Sequence, residues 1–542
     1  MDRDACCSFK PEDGSIHTFS LDGSKFSLVS VPPSQYICIL GAAKVRILRG
    51  SVECLGATLS PKNGTNTIYS PKSSSLLTMR HVNSAPSMAC NDATINGIAG
   101  TLKCSKDDCI ILFEQLNEGI EKIQNTMAQF RSLFEEMEEP HKVLSLFESC
   151  ALVLQPLPFI SSIKILDSWN EASARIIQMA DVVPKVLICG SRKIGKSTFS
   201  RFMANKLLGK YGTVVFLDLD VGQSEFTPAG FASLKVINNP ILGPPFTHLC
   251  TPEYSIFVAS SSPSNNPVFY FESCKELIDR YEEQYSGFAP LIINTMGWVT
   301  GLGFDLLQSI VHYAKPQFIL PLSNEAKIPS FVHSIFADEI TSFNIPVQKS
   351  YSPSLHHVAT EFDGLDVTKS KFSPTDQRNL ALLSYFAMEF DKDGPLVKYN
   401  FAHFTEKIPF HISWKALSLC IPFQSISKKH YLAAINASYV GLVSIEPFEP
   451  HPHHVTCINR QPLKKSIGAA IVRGIDFKNN SIYILTPVPL FLLASVNCLV
   501  KSNIEIPVNI STSVHFSLIS LEFTWFRSSL YKFFDFRICW TG

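Results

Sequence analysis

Residues 186–207, VLICGSRKIGKSTFSRFMANKL, contain the spacing G-x-x-x-x-G-K-[ST], which is typical of a loop that holds the phosphates of a nucleotide. Glycines in such a loop let backbone N–H groups turn towards phosphate oxygens, and the helix that follows presents its positive dipole end. Lys196 is expected to reach the β- and γ-phosphates, and Ser197 to place its hydroxyl on Mg²⁺. The motif therefore predicts a nucleoside triphosphate site formed by Gly190, Ser191, Arg192, Lys193, Ile194, Gly195, Lys196, Ser197 and Thr198.

Acidic residues follow on the next predicted strand, in TVVFLDLDVGQSEFTPAG at 213–230. Asp218 and Asp220 alternate along it, which predicts that they share a face where the strand ends, at the edge where open α/β sheets bind ligands. A carboxylate there can hold Mg²⁺ or accept a proton from an attacking hydroxyl. Asp220 and Asp218 are therefore both candidates for these two roles, with Asp218 among the candidate ligands of Mg²⁺, unless one of them only caps the loop or pairs with a lysine. Gln223 and Glu225 are predicted to face the same space.

These residues need a framework that brings strand ends together. From 185 to about 390, strand-like runs alternate with helical ones, which predicts a mostly parallel sheet with helices on both faces. The fold class is therefore α/β: a central P-loop domain with a mostly parallel sheet, flanked by N-terminal and C-terminal β-rich domains. The predicted divisions are 1–110 (β-rich), 111–183 (a helical connector, with an acidic amphipathic helix over 112–150 and a second helix over 168–180), 184–392 (the P-loop domain), 393–510 (β-rich) and 511–542 (an atypical aromatic tail).

The bulk composition is that of an ordinary globular protein. The 542 residues are 46% hydrophobic and 17% charged, with 47 basic and 47 acidic residues, so net charge alone does not indicate a nucleic-acid binder. Fifteen cysteines without a C-x-x-C pair indicate reduced intracellular thiols rather than disulfides or a zinc ribbon. No signal peptide and no membrane-spanning run is apparent, which predicts a soluble protein of the cytosol or nucleus without a membrane partner.

Three further motifs follow the phosphate loop in a characteristic order: DLDVGQSEFTPAG (218–230), LGPPFTHLCTPE (242–253) and NTMGWVTGLG (294–303). Together they closely resemble the nucleolar polynucleotide 5′-hydroxyl kinase family of pre-ribosomal RNA processing. The relatives of that family include the RNA kinase subunit of the pre-mRNA 3′-end cleavage factor. The resemblance covers roughly 185–390 well, and less specifically KVRILRGSVECLG and IGAAIVRGID in the flanking domains. It implies transfer of the γ-phosphate of ATP to the 5′-hydroxyl end of an RNA.

The resemblance also implies roles for individual residues. Lys196 would clamp the phosphates, Ser197 or Thr198 would hold Mg²⁺, and Asp220 would orient the 5′-hydroxyl. Trp298 matches a position where an indole stacks on a nucleobase, an interaction worth roughly 1–3 kcal/mol that needs no particular base. The remaining expected contacts to nucleotide or RNA are Gln223, Thr251, Asn294 and Thr295. The family further implies a nucleolar location and a partner endonuclease that cleaves the second internal transcribed spacer.

A lid is expected over residues 369–390, because a kinase must exclude water from the transferred phosphoryl group. Ser373 is predicted to cap a helix, with Pro374 at its first position and Asp376 completing the cap. Arg378 matches a family lid arginine that neutralises charge on the phosphoryl group. Basic residues are sparser here than in the family, with Lys369 and Lys371 just before the helix, and the alternative for Arg378 is an exposed helical arginine.

Two other functions remain open at this point. The chain could be an assembly subunit that holds ATP as a structural ligand with little turnover; Asp220, Trp298 and Arg378 favour the kinase, since a structural site needs neither base, platform nor lid. A regulatory GTPase is disfavoured because LPLSNEAKIP at 320–329 is a poor substitute for a guanine-reading motif. A zinc site is not predicted from His451, His453, His454 and Cys457. A basic excess over 391–473 either extends an RNA path or decorates a β domain.

Overall fold

A computed structural model describes residues 7–82, 97–135, 139–158, 160–179, 182–324, 328–337, 340–348, 350–360, 372–390, 396–401, 407–449, 454–506 and 537–538. Across these ranges, none of the helices has the length and apolar character that a membrane crossing requires. The chain divides into two compact units. The first comprises Met1–Leu217, Val236–His248 and Arg280–Gln377, and the second comprises Asp218–Lys235, Leu249–Asp279 and Arg378–Gly542.

The N-terminal part of the first unit is an antiparallel β domain, as predicted from its short β-branched runs. Its main path runs β1-β2-β8-β3-β7-β4-β5, with β6 and β10 also paired to β3, and β9 to β10. Strand β3 is 14 residues long and organises the sheet. The strands are β1 (Ile16–Leu21), β2 (Ser24–Val31), β3 (Tyr36–Arg49), β4 (Ser51–Cys54), β5 (Ala57–Leu59), β6 (Thr65–Ser70), β7 (Thr78–Val82), β8 (Cys109–Gln115), β9 (Val143–Phe147) and β10 (Cys150–Val153).

The central part of the chain alternates strands with helices, and the predicted parallel sheet is confirmed. In the first unit the strand order is β12-β15-β11-β16-β17, with β18 also on β16, and the pairings of β11 and β16 are parallel. In the second unit, β13 and β14 pair antiparallel from Phe231 opposite Phe257 onwards. The elements are α1 (Asp167–Gln178), β11 (Lys185–Cys189), α2 (Lys196–Tyr211), β12 (Val214–Asp218), β13 (Phe231–Ile237), β14 (Tyr254–Phe257), α3 (Pro267–Gln284), β15 (Leu291–Asn294), α4 (Leu302–Ala314), β16 (Phe318–Ser323), α5 (Ser330–Ser334), β17 (Ser354–Leu355) and β18 (Val358–Ala359).

The C-terminal part of the second unit is a β domain built on a sheet of order β24-β22-β27-β23-β25-β26-β21-β28. One face of this sheet carries an apolar core that includes Leu419, Val440 and Val472. Helix α6 packs in the same unit, since the Tyr385 hydroxyl accepts from Ala469 N at 2.9 Å. The elements are α6 (Pro374–Ala387), β19 (Met388–Phe390), β20 (Leu396–Tyr399), β21 (Phe410–Ser413), β22 (Ser418–Cys420), α7 (Tyr431–Ile435), β23 (Tyr439–Val443), β24 (Thr456–Ile458), β25 (Ser466–Asp476), β26 (Ser481–Leu485), α8 (Leu490–Leu493), β27 (Cys498–Lys501) and β28 (Arg537–Ile538).

The predicted amphipathic helix over 112–150 is wrong. Cys109–Gln115 is strand β8, and 3₁₀ turns at Ile120–Asn125 and Ala128–Phe130 follow it. Pairing of β8 with both β2 and β3 overrides the local helical pattern, and Gly119, with φ 85°, starts the first turn. The second predicted helix, over 168–180, is observed as α1. Lys369, Lys371, His451, His453 and most of the aromatic tail lie outside the described residues.

Candidate active site

The phosphate loop connects β11 to α2, which is the strand-turn-helix context that the motif requires. Gly190 adopts φ 148°, and a Cβ there would lie 2.7 Å from Leu322 O, so only glycine fits this position. Ser191, Arg192 and Lys193 are exposed, whereas Ile194 is buried and anchors the loop. The loop backbone is therefore held close to the sheet while its outer side stays open to an anion.

Lys196 lies inside this cradle. Its Nζ donates to Ser191 O at 2.8 Å, and the residue is only 7% exposed. Ser197 and Thr198 are half-buried in the first turn of α2, a 16-residue helix whose first N–H groups lack intrahelical acceptors. The arrangement provides a cation, hydroxyls and backbone donors for a phosphate chain.

Asn294 and Thr295, which were predicted to contact nucleotide or RNA, are each 1% exposed at the end of β15. The Thr295 hydroxyl donates to Ile188 O at 2.8 Å. The Ser200 hydroxyl donates to Lys196 O at 2.9 Å and lies 3.4 Å from Asn294 Oδ1. These contacts show that the two side chains brace the phosphate-loop strand and helix from behind.

Trp298 is half-buried in the loop that follows β15. A Cβ on Gly303 would lie 2.2 Å from Trp298 Cγ, so the indole lies against the start of α4. A Cβ on Gly297 would lie 2.8 Å from Arg192 Cα, so the same loop abuts the phosphate loop. The structure thus places Trp298 beside the cradle with part of its ring accessible, and stacking on a base stays a prediction.

Sequence reasoning missed Asn205, a polar residue in the apolar run FMANKLL of α2. This 3% exposed side chain donates from Nδ2 to Leu55 O at 2.9 Å and to Ile241 O at 3.0 Å, and accepts from Ile241 N at 2.8 Å. It joins the β4–β5 turn, the phosphate-loop helix and the segment before the LGPPFT motif. The only signal in the sequence is a polar side chain where the helix pattern calls for an apolar one.

The LGPPFT motif lies at the same contact between the N-terminal β domain and α2. Tyr69 N donates to Leu242 O at 2.8 Å, and Arg201 Nη1 donates to Gly243 O at 3.2 Å. This motif is one of those that carry the family resemblance. Its first half connects the N-terminal β domain to α2.

In the second unit, Asp218 and Asp220 have different environments. Asp218 is fully buried, and its carboxylate accepts from Glu225 N at 2.6 Å and Asp220 N at 3.3 Å. Asp220 is half-buried, and its Oδ1 accepts from Gly222 N at 3.1 Å and Gln223 N at 3.2 Å. The prediction that both share a strand face is wrong, because β12 ends at Asp218 and Asp220 lies in the turn beyond.

The other predicted site residues of this unit also differ in their exposure. Gln223 is exposed, whereas Glu225 is 1% exposed, so the two do not face the same space. Thr251 is exposed, and its segment is tied to the acidic loop by Cys250 N, which donates to Phe226 O at 2.9 Å. Burial raises the pKa of Tyr270 well above its usual value, helped by Cys274 and by both aspartates, and its hydroxyl donates to Leu219 O at 2.9 Å.

The predicted cap of α6 is confirmed. Ser373 N donates to Asp376 Oδ2 at 2.8 Å, and Asp376 N donates to Ser373 Oγ at 3.2 Å. Arg378 is half-buried rather than fully exposed. All residues from Asn379 to Ala387 are buried, so this part of the predicted lid is packed core.

Comparisons with known proteins agree with this arrangement. Residues 190–387 match the family described as mRNA cleavage and polyadenylation factor CLP1 P-loop. The flanking domains match Polynucleotide 5'-hydroxyl-kinase NOL9, N-terminal domain, over 17–157 and NOL9-like, C-terminal domain, over 405–507. A P-loop domain of this type between two such β domains defines the class of polynucleotide kinases.

Curated relatives share this organisation along most of the chain. The Arabidopsis thaliana Polynucleotide 5'-hydroxyl-kinase NOL9 is 30% identical over 366 residues, which cover 65% of this chain and 92% of the relative. The Danio rerio protein of the same name is 27% identical over 94% of this chain and 76% of its own length, and the human one 29% identical over 70% and 55%. The chain belongs to the polynucleotide 5′-hydroxyl-kinase NOL9 family.

Solved structures support the fold. A chain of the wild-type Clp1p-Pcf11p complex has a TM-score of 0.50 at 14% identity and covers 89% of this chain and 98% of its own. A second structure, of the interface between Pcf11p and Clp1p, has a TM-score of 0.52 at 13% identity with the same coverage. These structures confirm the predicted fold class, and the curated relatives confirm the predicted enzyme class. The matched N-terminal domain extends past the predicted boundary at residue 110.

Proposed function

We propose that this protein transfers the γ-phosphate of ATP to the 5′-hydroxyl end of an RNA. The observation that carries the proposal is the cradle around Gly190 and Lys196, in a chain of a polynucleotide kinase family. An exposed loop backbone, a half-enclosed ammonium and a helix N-terminus suit a triphosphate that must be held and also given up.

ATP and Mg²⁺ suit the residues present. A side chain at Gly190 would close the cradle, and the Lys196 ammonium, which donates to Ser191 O within the loop, would bind a phosphate oxygen there. Ser197 would hold Mg²⁺ through its hydroxyl, and Asp218 would contribute from the end of β12. The ion, when bound, neutralises charge on the β- and γ-phosphates.

Asp220 is the proposed proton acceptor. Gly222 N and Gln223 N fix its Oδ1, and its Oδ2 has no hydrogen-bond partner among the described residues. That oxygen suits a 5′-hydroxyl. The hydroxyl oxygen forms a bond to the γ-phosphorus as the bond from phosphorus to the bridging oxygen breaks. ADP leaves, and the hydroxyl proton passes to Asp220 and then to water.

The remaining predicted residues contribute to binding the RNA and the phosphoryl group. Trp298 stacks on a base of the RNA, and Arg378 neutralises charge on the phosphoryl group. Gln223 and Thr251, both exposed, contact the RNA, while Asn294 and Thr295 act through the strand and helix that they brace.

The biological setting follows from the family resemblance. We propose that the RNA is a pre-ribosomal spacer cut by a partner endonuclease and that the protein resides in the nucleolus. Co-purification of a spacer nuclease with the tagged chain, together with nucleolar fluorescence, would support this setting; a cytosolic signal without nuclease would rule it out.

The test is a transfer assay with γ-labelled ATP, Mg²⁺ and a short 5′-hydroxyl RNA. Wild-type protein is expected to label this RNA, and Lys196→Ala and Asp220→Asn to lose labelling. The same RNA with a 5′-phosphate is the matched control and should stay unlabelled. Tight ATP binding without transfer, even with a nuclease partner present, would instead identify a structural nucleotide.

A further inference from the structure

The C-terminal sheet has a second face that the apolar core does not use. On β25, Val472 and Ile475 belong to the core, and the pairing with β26 is interrupted by a bulge between Val472 and Gly474. Because the flanking residues turn inwards, Arg473 and Gly474 turn to the opposite face. A bulge of this kind re-aims a side chain, and here the side chain is a guanidinium.

Two aromatic residues lie on the strands that follow β25 across the sheet, in register with Gly474. Tyr483 is opposite Gly474 in the register, and His411 is opposite Tyr483, with ring centroids 6.0 Å apart. Both rings are half-exposed, and each lies between residues that pack towards the core. A Cβ built on Gly474 meets no atom within 4 Å, so the space beside Tyr483 is open.

Arg473 has no anion of its own. Within the described part of the chain, it forms neither an ion pair nor a hydrogen bond, and its Nη1 is buried without an acceptor. Burial alone lowers its pKa, and no neighbouring carboxylate offsets that effect. Removing a charged group partly from water without a counter-charge costs free energy, and a bound anion would offset that cost.

Basic character continues along the same domain. Lys407, three residues before β21 begins at Phe410, donates from Nζ to Phe386 O at 2.6 Å. The nearby Glu389 is already bonded to Asn400 at 2.8 Å and paired with Lys398 at 3.4 Å. The face thus combines one guanidinium, Arg473, with two half-exposed rings, and a second cation, Lys407, lies in the same domain; a guanidinium beside aromatic rings is typical of a surface for single-stranded nucleic acid.

We propose that Arg473, Tyr483 and His411 form a contact surface for single-stranded RNA away from its phosphorylated end. Arg473 binds a backbone phosphate, and the two rings stack on a base. This proposal rests on the proposed function, because it names where the RNA substrate continues on the protein. A protein partner is less favoured, since the three described side chains that define this face, Arg473, Tyr483 and His411, all carry polar groups.

The test measures the KM of the full-length protein for RNA substrates of different lengths. Arg473→Gln is expected to raise the KM of a 20-nucleotide RNA about tenfold, with kcat kept, as expected for one lost charge-assisted contact. The KM of a dinucleotide, which lacks the further nucleotides that this surface would bind, should not change. The slope of log affinity against log salt should fall by about 0.7 for the long RNA.

Two controls make the result specific. Lys429→Ala removes one exposed charge from the same domain and should behave like wild type. Tyr483→Phe should retain long-RNA affinity and Tyr483→Leu should lose it, with equal melting temperatures for all variants. An unchanged long-RNA KM and salt slope in Arg473→Gln would overturn the proposal, even if that variant lost a protein partner. Absence of transfer by wild type to either RNA would instead refute the proposed kinase activity.

Discussion

At the scale of single residues, the proposed catalytic groups are oriented by backbone atoms. Lys196 donates to Ser191 O, and Asp220 receives two backbone N–H groups on one oxygen. Side chains fixed by their own loops need little rearrangement when substrates bind. The same loops therefore depend on backbone geometry more than on neighbouring side chains.

Gly190→Ala tests that dependence. The added methyl group would meet Leu322 O at 2.7 Å at a φ of 148°, so the loop has to move. We expect ATP affinity, measured by calorimetric titration, to fall more than about tenfold. Gly209→Ala is the matched control: Gly209 lies in α2 with nothing within 4 Å of an added Cβ, and should gain about 0.5–1 kcal/mol of stability. Equal ATP affinity of Gly190→Ala and wild type would contradict the role of the loop.

Lys407 predicts a pH dependence of stability. Burial lowers the pKa of Lys407 from 10.5 to about 8, with partial compensation by Glu389. The folded chain therefore releases this proton at lower pH than the unfolded chain. The cost of the buried charge is fully present below about pH 8 and disappears as the pH rises to about 10.5. The free energy of unfolding of wild type, minus that of Lys407→Met, should rise between these values in urea titrations. A difference that stays constant with pH would refute this assignment.

At the scale of elements, α2 is enclosed by the rest of the first unit. Trp169 of α1 packs on Phe199 and Phe202 with ring centroids at 5.0 and 5.3 Å. On another side, Gly56 in the β4–β5 turn, with φ 81°, lies so close that a Cβ would be 2.7 Å from Phe202 O. A helix buried on several sides cannot shift independently, so the N-terminal β domain helps to set the position of the phosphate loop.

Asn205→Ala should weaken the contact between α2 and the N-terminal β domain. Three backbone groups, Leu55 O, Ile241 O and Ile241 N, would lose their partner in a buried place. We expect a loss of about 2–4 kcal/mol in the free energy of unfolding, together with weaker ATP binding. Lys206→Ala, the adjacent control, removes a partly exposed ion pair with Glu53 at 3.2 Å and a cation–π contact with the Phe202 ring at 5.5 Å, and should cost about 1 kcal/mol. Similar losses in both variants would argue against a special role for Asn205.

At the scale of the whole molecule, the sequence correctly predicted the features that depend on residues close together in the chain. The phosphate loop, the strand–helix alternation and the Ser373–Asp376 cap depend on residues a few positions apart, and all three are present. The failures involve distant partners. Strand β8 pairs with β2, where Cys109 lies opposite Val31, and Asn205 meets a carbonyl 150 residues earlier in the chain. Asp220 was misplaced because backbone pairing, not side-chain alternation, decides where β12 ends.

Deletion of residues 512–542 tests the independence of the aromatic tail. Its strand β28 pairs with Phe410 and His411 at the edge of the C-terminal sheet. We expect transfer to a short RNA to survive the deletion. Light scattering should increase, because the edge of β21 becomes available to other chains. Loss of ATP binding would show that the tail completes the core.

The contact between Asn205 and the β4–β5 turn also bears on biosynthesis. The turn precedes Asn205 by 150 residues, so at roughly 5–20 residues per second it leaves the ribosome roughly 8–30 s earlier. The last strand of the β domain, β10, ends at Val153 and the phosphate-loop helix begins at Lys196, so the complete β domain has roughly 2–9 s to fold before that helix begins to be made. The helix then emerges beside a finished surface that already presents the Leu55 carbonyl, and the older domain serves as a template for the catalytic one.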